Sequence, residues 1–343
     1  MFSAVVIGDL HLDGMQADLG EEANRLQIRE IGKIEAWASA NSISHVIYLG
    51  DICQRTTMSY EAHKLLHAQW SKNTHLKRHV IIGNHDFAEN GVHSLTLLKD
   101  TILPALPHVF VYDSMTTVVI EGVQVNFLPY PYPDIEWDGD LENSINVSHF
   151  EVKGSIRDNG SSSSSKKGVM SNSVWMMGHL HTPHDVGNVH YVGTPYQRNF
   201  GESLPKSFTW LRARMNKGVL QTKIERVPLD PTFKLITLDI QSDEDLQAIT
   251  DDPLNKYKLV ISQAVSLTDN FLAKHPNVVR HDGYRNQKER EMMLSSIDIS
   301  QIVDQGNPYD IEDYVESKYP DSTEKQKLRA KQIVNEIKAE LEE

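Results

Sequence analysis

The segment Gly83-Asn84-His85-Asp86 places an amide, an imidazole and a carboxylate in immediate succession. It follows Val80-Ile81-Ile82, a β-branched run typical of a buried strand that ends at a glycine. Such side chains can bind a metal ion or transfer a proton, and they are costly to place beside a buried strand for structural reasons alone. Because open α/β sheets bind ligands beyond the carboxyl ends of their strands, this segment is a candidate functional site.

Similar polar residues follow three other predicted strands. They are Asp9 and His11 after 2–7, Asp51 after 45–49, and His179 and His181 after 174–177. A D-x-H or H-x-H pair points two side chains to one side of an extended segment, so that both can bind one metal ion. Any single pair is more simply a loop carboxylate or a surface histidine, and His149 alone is an ordinary histidine. Their recurrence after successive strands favours one shared site.

The elements that must hold these residues alternate between strands and helices. Strands are predicted at 2–7, 45–49 and 79–82, and helices between them at 21–41 and 59–72. This order is typical of βαβ units in a parallel sheet, whose right-handed crossovers bring the strand ends to one edge. A further helix is predicted near 94–103, and closely spaced strands between 109 and 227 predict a second sheet.

The formal net charge of −13 argues against strong unaided binding to nucleic acid, without excluding it. The charge is unevenly distributed, with 9 Lys and Arg against 19 Asp and Glu in residues 1–150, 11 against 6 in 151–230, and 14 against 22 in 231–343. Clustered acidic residues in the first segment are also what a site for divalent cations requires, and bound cations reverse their effect on a phosphate.

The cysteine content and the first residues predict the compartment. The single cysteine, Cys53, excludes an internal disulfide, and the start Met-Phe-Ser-Ala-Val has neither a basic leader nor a long apolar run. No stretch approaches the roughly 18 apolar residues of a membrane span. We therefore expect a cytoplasmic protein that is soluble and has no contact with a membrane.

Taken in order, the polar segments from Asp9 to His181 resemble the five motifs of the calcineurin-like metallophosphoesterases. Within that superfamily, Leu128-Pro129-Tyr130-Pro131-Tyr132, Tyr191-Val192-Gly193-Thr194-Pro195 and Phe200-Gly201-Glu202 resemble segments of the SbcD-type DNA repair nucleases. The resemblance covers residues 9–202. It implies the metallophosphoesterase fold, a two-sheet α/β sandwich, with a small α/β capping domain and C-terminal helices.

The resemblance also implies two divalent metal ions and their ligands. One ion would be bound by Asp9, His11, Asp51 and His181, and the other by Asp51, Asn84, His149 and His179. Asp51 would bridge the ions, and His85 would orient the scissile phosphate or protonate the leaving oxygen. Two metal ions activate a water and stabilise the charge on the transferring phosphorus. The ligand set accepts Mn²⁺, Fe²⁺ or Zn²⁺, and the family points to manganese.

Gln54 departs from the family pattern. In many relatives the third residue after the Gly-Asp aspartate is Asp or His, placed to assist the catalytic histidine. A glutamine cannot change its charge near neutral pH, but it can orient the His85 imidazole by hydrogen bonding. We therefore treat Gln54 as a catalytic-site residue whose effect on activity the sequence leaves open.

Three regions are predicted. Residues 1–230 form the nuclease domain, and within it 160–168, with five consecutive serines, is read as a flexible, solvated loop. Residues 231–285 resemble a DNA-capping domain in layout, although a plain accessory domain is the alternative. Residues 286–343 would bind the coiled-coil base of an SbcC-type ATPase, unless their amphipathic helix packs on its own domain. The stripe of that helix is Ala330, Ile333, Val334, Ile337 and Leu341.

The sequence therefore predicts a manganese-dependent nuclease subunit for DNA double-strand-break repair and recombination. It would be an exonuclease that could also act as an endonuclease, and it would form a homodimer that works with an SbcC-type ATPase. A phosphatase or cyclic-nucleotide phosphodiesterase on the same fold is the alternative. A non-catalytic scaffold is a third reading, which the complete ligand set opposes.

Overall fold

The structure, a computed structural model, describes residues 1–88, 91–102, 105–131, 141–158, 160–165, 173–202, 204–261, 265 and 267–283. The chain divides into two compact units, residues 1–282 and 283–343, and all but the first residue of the second unit lies outside the described residues. The predicted ATPase-binding region 286–343, residues 166–168 of the serine-rich loop, and Tyr132 also fall outside them.

Six strands form the first sheet, in the order β12-β11-β1-β2-β3-β4. Their bounds are Phe2–Ile7 (β1), His45–Tyr48 (β2), Lys77–Ile81 (β3), Val109–Tyr112 (β4), Lys206–Asn216 (β11) and Val219–Leu229 (β12). Strands β1 to β4 are parallel, whereas β11 and β12 add an antiparallel hairpin beside β1. The helices α2 (Ala23–Ala40) and α3 (Tyr60–Trp70) make the two crossovers between β1 and β3, as the strand-helix alternation predicted.

The second sheet also has six strands, in the order β5-β6-β7-β8-β10-β9. Their bounds are Thr116–Ile120 (β5), Val123–Leu128 (β6), Ile145–Ser148 (β7), Val174–Met177 (β8), His184–Val186 (β9) and Val189–Tyr191 (β10). Strands β6, β7, β8 and β10 are parallel to one another. As in the first sheet, the parallel central strands direct their carboxyl ends to one edge.

The two sheets face each other across an apolar core. Buried side chains of the first sheet, among them Val6, Ile47 and Ile81, pack against Phe127 and Val147 of the second. The opposite face of the first sheet, including Val46 and Val80, packs against α2 and α3. The predicted two-sheet α/β sandwich is therefore confirmed.

A third sheet, β13-β14-β15, belongs to the first unit except for its last residue, Gly283. Its strands are Lys234–Ile240, Asn255–Ile261 and Val278–Gly283, with α4 at Asp269–Lys274 and a 3-10 turn at Asp243–Ala248. The Gln197 side chain ties it to the sandwich by accepting from the Leu235 amide and donating to the Leu235 carbonyl, at 3.0 and 2.9 Å. Arg280 adds an ion pair with Asp18 of the short helix α1, Gln16–Leu19. The role of residues 231–285 as a capping domain stays a prediction.

The structure departs from the predicted helix near 94–103. That segment contains a π-helical turn at Leu98–Ile102 instead of a regular helix of that length. Wide π turns are rare and short. Of the helices that the structure describes, none has both the length and the apolar character that crossing a membrane requires.

A buried ion pair fixes the helical layer to the first sheet. Arg78 of β3 donates to Glu35 of α2 through Nε and Nη2, at 2.6 and 2.9 Å, and both side chains are fully buried. The same carboxylate accepts from the Tyr48 hydroxyl and the Gln69 amide, each at 2.8 Å. Burying charges without complete pairing is costly, so this network is sensitive to the loss of one member.

We expect Arg78→Met to lower the free energy of unfolding by about 3–5 kcal/mol, because Glu35 would remain buried without its charge partner. Urea denaturation followed by circular dichroism measures this loss. Arg214→Met is the control, because it removes an exposed arginine near the C-terminal end of β11. It should change the free energy of unfolding by less than about 0.5 kcal/mol. A loss of under about 1 kcal/mol for Arg78→Met would show that the pair is dispensable.

Candidate metal centre

Every predicted metal ligand lies in a loop at the carboxyl end of a parallel strand. Asp9 and His11 follow β1, Asp51 follows β2, Asn84 follows β3, His149 follows β7, and His179 and His181 follow β8. The first sheet supplies four of these residues and the second supplies three. The site therefore lies where the edges of the two sheets meet, and its side chains come from both layers of the sandwich.

Three of these residues have left-handed backbone conformations that non-glycine residues rarely adopt. The φ angles are 47° for His11, 47° for Asp51 and 80° for His179. The amides of Leu10 and His11 both donate to the Asp51 carbonyl, at 2.9 and 2.8 Å, which holds the first two loops together. Such backbone strain costs roughly 1–3 kcal/mol per residue and concentrates at functional sites.

Two glycines allow the loops to approach closely. A Cβ atom at Gly83 would lie 2.2 Å from Oδ1 of Asp51, and one at Gly178 would lie 2.7 Å from both Asp9 Oδ1 and His149 Nδ1. Any larger residue would push these carboxylates and this imidazole away. The glycines that precede the polar residues in the sequence are therefore required by the geometry of the site.

One group of ligand atoms surrounds His11. Its Nε2 lies 3.5 Å from Asp51 Oδ2, and Asp9, His11 and His181 offer three ligand atoms within 4.8 Å of one another. Both ring nitrogens of His11 are buried, and neither has a hydrogen-bond partner among the described residues. One nitrogen of a neutral imidazole carries a lone pair, and a cation that accepts it would give that nitrogen a partner. This group fits the first of the two metal ions.

A second group converges on Asn84. Its Oδ1 lies 2.9 Å from His149 Nε2 and 2.9 Å from His179 Nδ1. Asp51 Oδ2 lies 3.3 Å from the same His149 nitrogen, so this carboxylate touches both groups. Mixed imidazole, amide and carboxylate ligands fit Mn²⁺, Fe²⁺ or Zn²⁺. The structure therefore brings together the residues of both predicted ligand sets, with Asp51 between them.

The charged groups around His149 show which positive charge a bound cation would replace. His149 faces acceptors on both sides, with Nδ1 donating to the Leu49 carbonyl at 2.7 Å and Nε2 facing Asn84 and Asp51. Burial lowers the pKa of His149, but the charges of Asp51 and Asp9 outweigh it and raise that pKa to about 10. Burial would raise the pKa of Asp51, which His149 instead holds below its usual value. A proton on His149 thus occupies a place that a metal ion could take.

Two carboxylates that the sequence analysis missed orient the histidines of the loop after β8. Asp158 Oδ2 lies 2.6 Å from His181 Nδ1, and Glu151 Oε1 lies 3.6 Å from His179 Nε2. Each carboxylate contacts the ring nitrogen opposite the ligand group, an arrangement that fixes the tautomer of a ligand histidine. The only sequence signal was the position of Glu151, two residues after His149.

The serine-rich loop takes part in this support. Ser163 is buried, its hydroxyl donates to Glu151 Oε2 at 2.6 Å, and its amide donates to the Ser155 carbonyl at 2.7 Å. Arg157 contacts the same Glu151 carboxylate from the exposed side. The expectation of a flexible, solvated loop is therefore wrong for Ser163, which is buried and hydrogen-bonded to the preceding segment, whereas residues 160–162 and 164 are exposed to solvent.

Asp86 supports the site without belonging to either ligand group. Its buried carboxylate accepts from the amides of Ile52, Cys53 and Gly83 at 3.0–3.1 Å, and from the Ser94 hydroxyl at 2.7 Å. Burial, together with the charge of Asp51, raises the pKa of Asp86 to about 6 despite these hydrogen bonds. The carboxylate fastens the loop after β2 to the loop after β3.

His85 lies between Asp51 and Gln54. Its amide donates to Asp51 Oδ1 at 2.9 Å, and its Nδ1 lies 3.1 Å from the Gln54 carbonyl and 3.4 Å from Gln54 Nε2. Gln54 therefore contacts the imidazole through both its backbone and its side chain. The guanidinium of Arg198, which the sequence analysis did not single out, donates to Gln54 Oε1 at 2.6 Å.

Comparison with known proteins gives two matches. The sequence profile of the family described as Calcineurin-like phosphoesterase matches residues 2–183, more than half of the chain. The chain is also 29% identical over 217 residues to Exonuclease subunit 1 of Enterobacteria phage T4. That alignment covers 60% of this chain and 62% of the relative, so the match spans less than two thirds of the phage protein.

We expect Asp158→Asn and Glu151→Gln each to weaken Mn²⁺ binding about 10- to 100-fold, because the neutral amides no longer hold the histidine rings as carboxylates do. Isothermal titration calorimetry of the full chain measures the affinities. Asp185→Asn, which changes an exposed carboxylate paired with His190, is the matched control. Affinities equal to the wild-type value in both variants would show that the rings need no carboxylate partner.

Proposed function

The chain belongs to the calcineurin-like phosphoesterase family, and we propose on that basis that it is a manganese-dependent nuclease that hydrolyses phosphodiester bonds in DNA. The observation that carries the proposal is the position of Asp51 between two groups of ligand atoms, with His85 directly beside it. The similarity to a phage exonuclease subunit supports a nucleic-acid substrate. Repair of double-strand breaks and recombination are the processes in which such an activity would serve.

The residues of the site have separate proposed roles in metal binding and in proton transfer. Asp9, His11 and His181 would bind one ion, Asn84, His149 and His179 the other, and Asp51 both. Bound there, the ions would supply an activated water and neutralise charge on the phosphate. The Gln54 carbonyl accepts the proton of His85 Nδ1, so Nε2, on the other side of the ring, is left to contact a phosphate oxygen or pass a proton to the leaving oxygen.

A partner is part of the proposal. The phage relative is named a subunit, and this chain carries a net charge of −13, which disfavours binding a polyanion without help. We propose that an SbcC-type coiled-coil ATPase binds residues 286–343 and contributes basic surface for DNA, and that two copies of the chain form a homodimer in that assembly. The capping role of 231–285 belongs to the same proposal.

A second candidate is a phosphatase or cyclic-nucleotide phosphodiesterase. A small cavity of about 220 Å³ adjoins the second ligand group and favours a small phosphoester. It is lined by Tyr130, His149, Phe150, Glu151, Ser165 and His179. This volume is below the roughly 300–1,000 Å³ of typical ligand cavities, so the cavity would hold a phosphate group with only part of a nucleoside.

We expect His85→Ala to slow Mn²⁺-dependent cleavage of linear and hairpin DNA about 10²- to 10⁴-fold, because a group that orients the phosphate and transfers a proton is lost. Mn²⁺ affinity should stay within a few-fold, since His85 is not one of the proposed ligands. His75→Ala, at an exposed histidine, is the control and should cleave at the wild-type rate.

The same assays separate the two candidate functions. Turnover of p-nitrophenyl phosphate or a cyclic nucleotide without DNA cleavage by the wild-type protein would replace the nuclease proposal with the second candidate. Unchanged activity of His85→Ala on every substrate would remove His85 from the mechanism.

A further inference from the structure

We propose that Arg198 binds a nonbridging oxygen of the substrate phosphate, an inference that rests on the proposed phosphoester chemistry but not on DNA as the substrate. Arg198 lies in the turn between β10 and β11, outside all the predicted ligand positions. Its backbone amide donates to Oε2 of Glu202 at 3.2 Å, and Glu202 is itself held by Lys206 at 2.5 Å. The turn is therefore anchored by a nearly buried ion pair, and it directs the arginine toward the site.

The guanidinium spans the interval between one ligand group and the catalytic histidine. Nη1 lies 2.7 Å from Nε2 of His181, a proposed metal ligand. Nη2 donates to Oε1 of Gln54 at 2.6 Å, and Gln54 contacts His85. A phosphate held by the metal ions and oriented by His85 would have to lie next to these guanidinium donors.

The contact with His181 leaves the Nε2 lone pair of that ring accessible to a metal ion. Nη1 lies 2.7 Å from Nε2 and 3.3 Å from Nδ1, which places it over the face of the imidazole and not in line with a ring lone pair. At the edge of the ring, Nδ1 lies 2.6 Å from Asp158. A metal ion would bind the Nε2 lone pair in the plane of the ring, and Nη1, which faces the ring at this contact and not an oxygen atom, could donate to a phosphate oxygen.

Arg198 has no direct carboxylate partner among the residues that the structure describes. Asp158, which pairs with His181, is near enough for the charge of Arg198 to lower its pKa, but it lies outside ion-pair distance of the guanidinium, and Gln54 is a neutral amide. Arginine keeps its charge at any physiological pH, and its planar donors match phosphate oxygens. Gln54 thus has a use that its departure from the family pattern did not suggest, because it places the arginine without cancelling its charge.

The test measures binding of inorganic phosphate to the Mn²⁺-loaded full chain by isothermal titration calorimetry, with Mn²⁺ affinity measured separately. We expect Arg198→Met to raise the Kd for phosphate about 10- to 100-fold, since a hydrogen bond to a charged group is lost. Mn²⁺ affinity should be unchanged or higher, because a positive charge beside the His181 ring is removed. Arg214→Met is the matched control and should bind phosphate as the wild-type protein does.

Two further variants keep the test decisive if Arg198→Met folds poorly. Arg198→Lys keeps the charge but cannot reach both neighbours, and should weaken phosphate binding about 3- to 10-fold. Gln54→Glu keeps Arg198 but pairs its charge, and should weaken phosphate binding as well. The KM for bis-p-nitrophenyl phosphate should rise in parallel with the phosphate Kd.

A phosphate Kd within twofold of the wild-type value in Arg198→Met and Arg198→Lys would overturn the proposal. A large fall in Mn²⁺ affinity with unchanged phosphate binding would also overturn the proposal, because Arg198 would then position His181 and not the phosphate. If phosphate binding depends on Arg198 but the wild-type protein does not cleave DNA, the role of Arg198 stands and the nuclease proposal fails. If the wild-type protein cleaves DNA but Arg198 has no effect on phosphate binding, the nuclease proposal stands and the proposed role of Arg198 fails.

Discussion

The carboxylate of Asp51 is the contact on which the rest of the site depends. One oxygen accepts from the His85 amide, and the other faces His11 on one side and His149 on the other. The backbone carbonyl of the same residue holds the loop after β1. Moving this residue would therefore disturb both ligand groups and the catalytic histidine together. The apolar core between the sheets serves this arrangement, because it fixes how closely the two sheet edges approach.

The sequence was a good guide where chemistry follows directly on a strand. Asp9, Asp51 and Asn84 could be found because each follows a buried run, and parallel strands bring such residues to one edge. Arg198 and Asp158 could not be found in that way. Each reaches the site from a loop whose path depends on distant contacts, and neither belongs to a local pattern with a required spacing.

The dependence on distant contacts also explains the two predictions that were wrong, for the serine-rich loop and for the helix near 94–103. A run of serines is typical of a solvated loop, but Ser163 is buried because it finds a partner in Glu151, twelve residues earlier. Leu98 and Ile102 have the i, i+4 apolar spacing of an α-helix, and this spacing does not distinguish a regular helix from the π-helical turn that the segment forms. Local propensity predicts an element, whereas the partners that become available in the folded chain decide its final form.

Metal binding at His11 would couple the metal supply to the stability of the folded protein. The fully buried ring of His11 lies beside Asp51 and His181, and a cation that binds there only in the folded state would stabilise the protein. A free cation concentration one hundred times the Kd would add about 2.7 kcal/mol. Under metal limitation, the protein would thus become a better substrate for cellular proteases as well as a poorer enzyme.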